Sequence, residues 1–375
     1  SLSYMEFLNQ PLHKDPALSV QVSVFNLPGG RAEYHMIFQF TEKAHKDPYT
    51  TRTDTIEVMH ACIREWISQV PYKDAEAVFA RYFLRNAPSQ RPRIHIRNLF
   101  PSSCAISYIE QPPANGSDLA VWLYMRVPGP EPEKFTHYWT TEKFCLAGDV
   151  TEQTQKLLRD YQSWLQAKGC NMADHCLRTW FFIRDIDTNY TAFAKARNEY
   201  FSRIGMDENT HYIASTGIEG SNGAPSSVVT MDAYALKGPE ASRITYLHGL
   251  SHLSPTNIYG VTFERGVSIR FDHHKQILIS GTASIDKSGN VLHLDDIGAQ
   301  TFRMWENVEV LLDEAGATFD DVSQIIVYLR RQEDHELVND LFNSRFPSIP
   351  TVIVMGRVCR PAWLIEMECI ALVKS

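Results

Sequence analysis

Several features that would have pointed to a function are missing. No apolar run approaches the roughly 18 residues needed to cross a bilayer as a helix. The first twenty residues lack the basic start and apolar core of a secretory signal. There is no surplus of positive charge: 36 Lys and Arg face 44 Asp and Glu, a net charge of −8, and no basic block is interleaved with aromatics. A phosphate backbone would find nothing to bind, so no nucleic-acid partner is expected. CxxC pairs are absent, and the odd count of seven cysteines (62, 104, 145, 170, 176, 359 and 369) sits mostly inside apolar runs, as reduced core thiols do. The sequons at Asn115 and Asn189 then read as chance matches. Fourteen histidines occur without HxH, HExxH or a Cys/His cluster, and His273 and His274 point to opposite faces if extended, so no metal is expected. Neither a P-loop nor GxGxxG is present, the glycines at 217–223 read as a turn, and no organic cofactor is expected. These absences describe a soluble, cytoplasmic protein with no membrane partner.

What is present is repetition. In a chain of 375 residues with 44% hydrophobic content, large enough for two or three domains, residues 149–187 match 296–334 at a constant offset. The identities are Asp149/Asp296, Gln153/Gln300, Thr154/Thr301, Leu165/Leu312, Gly169/Gly316, Asp174/Asp321, Arg184/Arg331 and Asp187/Asp334. Leu157, Leu158, Tyr161, Trp164 and Leu165 form the same helical stripe as Met304, Trp305, Val308, Leu311 and Leu312. Each helix ends at a glycine able to cap it in the left-handed conformation. An apolar strand follows each, at 176–183 and 324–329, then a second helix at 189–204 or 335–345. A closing β pair is expected at 211–216 with 228–236, and at 351–355 with 364–373. This order predicts an α+β fold with helices on one sheet face. A third, fainter copy is placed at the N-terminal end, with helices at 53–68 and 74–85, a strand remnant at 93–96 and a closing pair at 104–109 and 119–126. The expected organisation is an N-terminal unit at 1–130, a second at 131–240, a linker at 241–264 and a last unit at 265–375.

The last unit carries SGTASID at the end of an apolar strand, a helix ending in AG, FDDVSQIIVYLR, FNSRFP and the terminal IEMECIAL. In these pieces, over about 100 residues, the chain resembles the Rid (YjgF-type) family. Such proteins are trimers of a chorismate-mutase-like α+β unit with ligand sites between subunits, so three βαβα units in one chain imply a pseudo-trimer that is itself a monomer or weak dimer. Where the deaminating members place an arginine after Pro-Ala, this chain has Pro350, Thr351 and Val352, which counts against imine or enamine deamination. A second set of pieces runs in one order from residue 178 to 368: Arg178-Thr179-Trp180, Arg197, Thr216-Gly217-Ile218, Tyr259-Gly260, Phe263-Glu264-Arg265, Ser280-Gly281-Thr282-Ala283, Val327 to Arg331, and Leu364 to Glu368. In these the chain is similar to the chorismatases, the single-chain branch that removes the enolpyruvyl group of chorismate as pyruvate to leave a hydroxybenzoate or a dihydroxy-cyclohexadiene carboxylate. The competing readings are another Rid-like hydrolase of imines or enamines, and a non-catalytic protein that binds small carboxylates.

A site for the dicarboxylate chorismate needs cationic anchors and an acid that protonates the methylene carbon of the vinyl ether. Arg178, Arg197 and Arg265 are the candidate anchors. Arg197 reads equally as a snorkelling surface residue, and Arg265 and Tyr259 as loop-packing contacts. The resemblance adds Thr216 and Gly217 as binding positions. Glu366 and Glu368 lie two apart in a strand and share a face, where like charge would raise one pKa. They are the candidate acids, with Glu366 favoured, unless they are ordinary carboxylates at a solvent-facing edge. The second copy has Thr230 and Asp232 there instead, so one active site per chain is expected. Cys359 and Met355 either line the pocket or are core sulfurs.

Overall fold

The computed structural model describes residues 4–14, 16–41 and 54–375. Its strands form three mixed sheets. The first runs through β1 (Met5–Lys14), β2 (Ala17–Asn26), β3 (Ala32–Phe40), helix α1 (Thr55–Ile67), β4 (Glu76–Leu84), α2 (Ala87–Ile96), β5 (Ala105–Glu110) and β6 (Leu119–Val127). The second has β7 (Thr136–Phe144), α3 (Val150–Ala167), the single turn α4 (Met172–His175), β8 (Cys176–Ile183), α5 (Ile186–Arg203), β9 (Ala214–Glu219) and β10 (Val229–Lys237). The third has β11 (Ile244–Leu247), β12 (Gly266–Arg270), β13 (His274–Ala283), α6 (Ile297–Glu314), β14 (Val322–Leu329), α7 (His335–Arg345), β15 (Thr351–Met355) and β16 (Ile365–Lys374).

One four-strand order recurs: β3-β6-β4-β5, β7-β10-β8-β9 and β13-β16-β14-β15. The α+β architecture expected from the repeat is therefore present in all three sheets, and the first and third extend it by two edge strands each. Helices α3 and α6 start at Asp149 and Asp296, whose side chains accept from the main-chain N–H of Glu152 and Ala299. These N-caps satisfy donors that a helix start leaves orphaned. At the other ends Gly169 (φ 76°) and Gly316 (φ 79°) take the left-handed conformation.

Three expectations are corrected. The strands 214–219 and 229–237 do not pair with each other, because the crossover through α5 lays β9 parallel to β8 on one side while β10 runs antiparallel on the other. The last copy repeats this about β14. In the N-terminal copy, residues 76–84 are a strand, 93–96 belong to the helix 87–96, and the segments 104–109 and 119–126 do not pair with each other because β4 lies between them. The run Glu76–Leu84 is buried on both faces, so its continuous apolar pattern carried no period to separate helix from strand. Its first helix falls at 55–67 as expected, and residue 53 lies outside the described residues. Finally, residues 244–247 of the segment read as a linker form the edge strand β11.

The three sheets meet on a shared apolar core that joins Phe79, Trp122 and Trp180 to the interior of the third sheet. Separate clusters fill the sheet–helix layers of the first and second. No described helix is long and apolar enough to cross a membrane.

Candidate active site between the second and third sheets

Strand β16 is central in its sheet, with Glu366 opposite Tyr328 on β14 and Ala283 on β13. Both glutamates are buried, at 5% and 1% exposure, which rules out a solvent-facing edge. They share a face as the period-two rule requires, yet their surroundings differ. Glu368 accepts from Trp180 Nε1 at 2.7 Å, Tyr328 OH at 2.6 Å and Thr216 Oγ1 at 3.0 Å, and pairs with Arg178 Nη2 at 3.2 Å. Every one of these partners is a donor, the set that best matches an acceptor-only side chain.

Glu366 faces a cavity of about 70 Å³ with Arg197, Arg265, Tyr190, Gly217 and Cys359. Its pKa is pushed up to about 8, first by burial and then by the charge of Glu368, while Arg178 and Arg265 pull it down. Burial, more than the like-charge pairing, keeps this carboxyl protonated near neutrality. Gly281 makes room for it: a Cβ there would lie 1.8 Å from Glu366 Oε1.

Arg197, on α5, is 1% exposed rather than snorkelling. It stacks over Phe193, and its Nε and Nη2 have no hydrogen-bond partner among the described residues. Two buried donors aimed at a cavity are what a carboxylate ligand requires. Arg265 is also buried and donates to the carbonyl of Ser254 at 3.2 Å, and burial pushes its pKa down to about 10. Arg178 sits one layer behind the cavity. Its guanidinium is taken up by the Thr179 carbonyl, Thr216 Oγ1 and Glu368, and lies over Trp180. Thr216 is the hinge of this layer: it accepts from Arg178 and from the Gly281 N–H at 3.0 Å while donating to Glu368. The side chain of Tyr259 lies outside the described residues.

Cys359 lines the cavity, with its thiol pushed up to about 12 by burial. It is bonded to Tyr190, which Arg197 also reaches. Tyr190, Arg360, Trp363 and Phe263 line the site as well, and the sequence reading did not select them as site residues. For Tyr190 a signal existed: it precedes Arg197 by seven residues on one helix, two turns away on the same face. Arg360 and Trp363 come from an irregular loop with no such period.

Comparison with known proteins agrees with this geometry at the level of fold. Residues 265–373 match the family described as endoribonuclease L-PSP. A RutC family protein of Pyrococcus abyssi is 35% identical over 97 residues, which cover 25% of this chain and 76% of that protein. The chain belongs to the Rid/YjgF superfamily. Among solved structures, a chorismatase superposes with a TM-score of 0.61 at 16% identity, covering 79% of this chain and 93% of that one. A YjgF/YER057c/UK114 family member from Mycobacterium tuberculosis covers 35% of this chain and 99% of its own length, at 24% identity and a TM-score of 0.29. The Rid/YjgF architecture recurs across the three sheets, and the fold is one suited to imine, enamine or carboxylate chemistry on small molecules. Among the described residues no group of three or more His, Cys, Asp or Glu is arranged to hold a metal.

Proposed function

We propose that the cleft binds a small dicarboxylate through Arg197 and Arg265 and protonates it from Glu366, in a chorismatase-type reaction. The observation that carries this is a buried carboxyl with a pKa near 8 sharing one cavity with two buried guanidiniums. The proton of Glu366 would pass to the methylene carbon of the enolpyruvyl ether, leaving a cation on the ether carbon. Water adds there, the hemiketal collapses to pyruvate and the ring alcohol, and the carboxylate regains a proton. Arg178, Thr216 and Glu368 are positioning residues in this scheme. The resemblance to a chorismatase structure over most of both chains supports the reading at the level of fold. Incubating the protein with chorismate and assaying pyruvate tests it, and a pyruvate yield equal to the protein-free control would overturn it.

A second reading is favoured by one observation. The cavity, about 70 Å³, is below the ~300–1,000 Å³ usual for ligand sites, and Val261 and Phe263 are part of its lining. A compact imine or enamine acid would enter it more readily than a ring. Ammonia release from a small 2-imino acid, without pyruvate release from chorismate, would decide for this alternative.

A further inference from the structure

A second and larger cavity, about 430 Å³, lies where strands β3, β6, β7 and β13 approach one another, and it shares no lining residue with the Glu366 cleft. Its volume is within the range of small-molecule sites. One wall is a run of flat rings. Phe271 stacks on His274 at 4.9 Å and 16°, and on His137 at 5.8 Å and 27°, with Phe135 tilted against it at 5.9 Å. His274 is 4% exposed, yet both of its ring nitrogens lack a hydrogen-bond partner among the described residues, and the Glu33 carboxyl lies 4.0 Å from Nε2. A buried polar ring left unpartnered costs stability unless something else satisfies it.

The rest of the lining carries three cations, Arg31, Arg126 and Lys134, beside the acids Glu33, Glu131, Glu133 and Asp272, with Lys134 3.7 Å from Asp272. Arg31 makes no ion pair among the described residues, and its one hydrogen bond goes to the Pro28 carbonyl at 3.4 Å. Its stem rests on Gly129, where a Cβ would meet Arg31 Cδ at 2.8 Å. Arg126 is paired with Glu133, which sits on an irregular, exposed segment. Of the acids nearby, Asp272 is engaged by Arg243 at 2.9 Å, and burial pushes Glu33 toward its neutral form. Glu131 lies on the exposed part of the same segment as Glu133.

We propose that this cavity is a binding site for a small planar carboxylate, its ring laid on Phe271 and hydrogen-bonded by His274, and its charge held by Arg31 and Arg126. A bidentate carboxylate answers the forked guanidinium, and a flat body answers the stacked wall. The site stands apart from the reaction proposed for the Glu366 cleft, and it would persist if that reaction proved wrong.

The test is calorimetric titration of benzoate into the full chain, with acetate and inorganic phosphate as comparison anions. Benzoate is expected to bind at a site outside the Glu366 cleft, separable by variants from any binding at Arg197 and Arg265 within that cleft. Arg31→Ala should weaken it at least tenfold and His274→Phe, which keeps the stack, several-fold, while Arg197→Ala in the other cleft leaves it unchanged. Each variant is first checked for a wild-type melting curve, and Arg31, at the rim, is the change least able to disturb folding. The proposal is overturned by any of three results: no saturable binding at millimolar benzoate, Arg31→Ala within twofold of wild type, or acetate and phosphate binding as tightly as benzoate.

Discussion

Glu366 and Glu368 have the same side chain, strand and face, and burial with different partners separates them. Four donors hold Glu368, whereas Glu366 has the cavity. Removing a general acid costs about 10²–10⁴ in rate, so Glu366→Gln should lose turnover while substrate affinity stays near wild type, as single-turnover and binding measurements would show. The acid must be protonated to act, so activity should fall as pH rises through about 8, and a pH–rate profile checks the limb. The stability sign follows from the same shift. A carboxyl raised in the folded state contributes fully below its ordinary value near 4.5 and loses that contribution as pH rises through about 8. Glu366→Gln should therefore flatten the dependence of melting temperature on pH over that window. For Glu368→Gln the expectation is different: an uncompensated Arg178 would remain buried, at a cost of about 3–5 kcal/mol, readable by chemical denaturation.

At the scale of strands and helices, the cleft between the first two sheets repeats the one between the second and third with its carboxyl moved. Arg81 on β4 pairs with Asp232 on β10 at 2.9 Å, both fully buried, as Arg178 on β8 pairs with Glu368 on β16. The register sets Phe144 opposite Thr230 and Ala283 opposite Glu366, so Glu142 occupies the place of Gly281, the glycine whose missing side chain would point at Glu366. Glu142 has a left-handed φ of 59°, uncommon for a non-glycine residue. Its pKa is pushed up to about 7, first by burial, and it pairs with Arg91 of α2 at 3.0 Å. Thr230 and Asp232 stand where the third sheet has Glu366 and Glu368, and the strand pairing sets Glu142 beside them, its N–H donating to Asp232 at 3.1 Å. Glu142→Gln should make stability flatter between pH 5 and 7, because the native carboxyl stabilises the fold when protonated and loses that contribution as pH rises through about 7. Thermal melts across that range test it. Where the third sheet meets the first, the Gln39 side-chain amide donates to the Thr351 carbonyl at 2.8 Å and the Thr351 N–H donates to the Gln21 side-chain carbonyl at 3.1 Å, which ties the main chain of β15 to side chains of β2 and β3.

For the whole molecule, function depends on how the second and third sheets are held. Between the second and third sheets, Arg330 at the end of β14 and Arg357 after β15 both pair with Asp187 at the start of α5 at 2.9 Å. Arg357 is also bonded to Glu219 at the end of β9. Exposed pairs are worth about 0–1 kcal/mol each, so Asp187→Asn should barely move the melting temperature. A network that fixes two lobes should still show itself in substrate affinity, and more so at low salt, as titrations at two ionic strengths would test. Because the sheets pack on one another within a single chain, light scattering should give the mass of a monomer or weak dimer, and a trimer would contradict it.

The repeat, the helix caps at Asp149 and Asp296, the central strand 176–183 and the shared face of Glu366 and Glu368 were all determined by the sequence, because caps and periodicity act over a few residues. Strand partners were not. The segments 211–216 and 228–236 looked like a hairpin, since nothing local records that β8 comes between them. The run 76–84 looked helical because a strand buried on both faces loses its alternation. Tertiary structure alone put Arg178 behind the cavity and Arg197 at its wall, and gave Glu366 the cavity and Glu368 the four donors. Burial and partner distance decide whether a guanidinium is free to anchor a ligand and whether a carboxyl keeps its proton, and both are properties of residues brought together from different sheets.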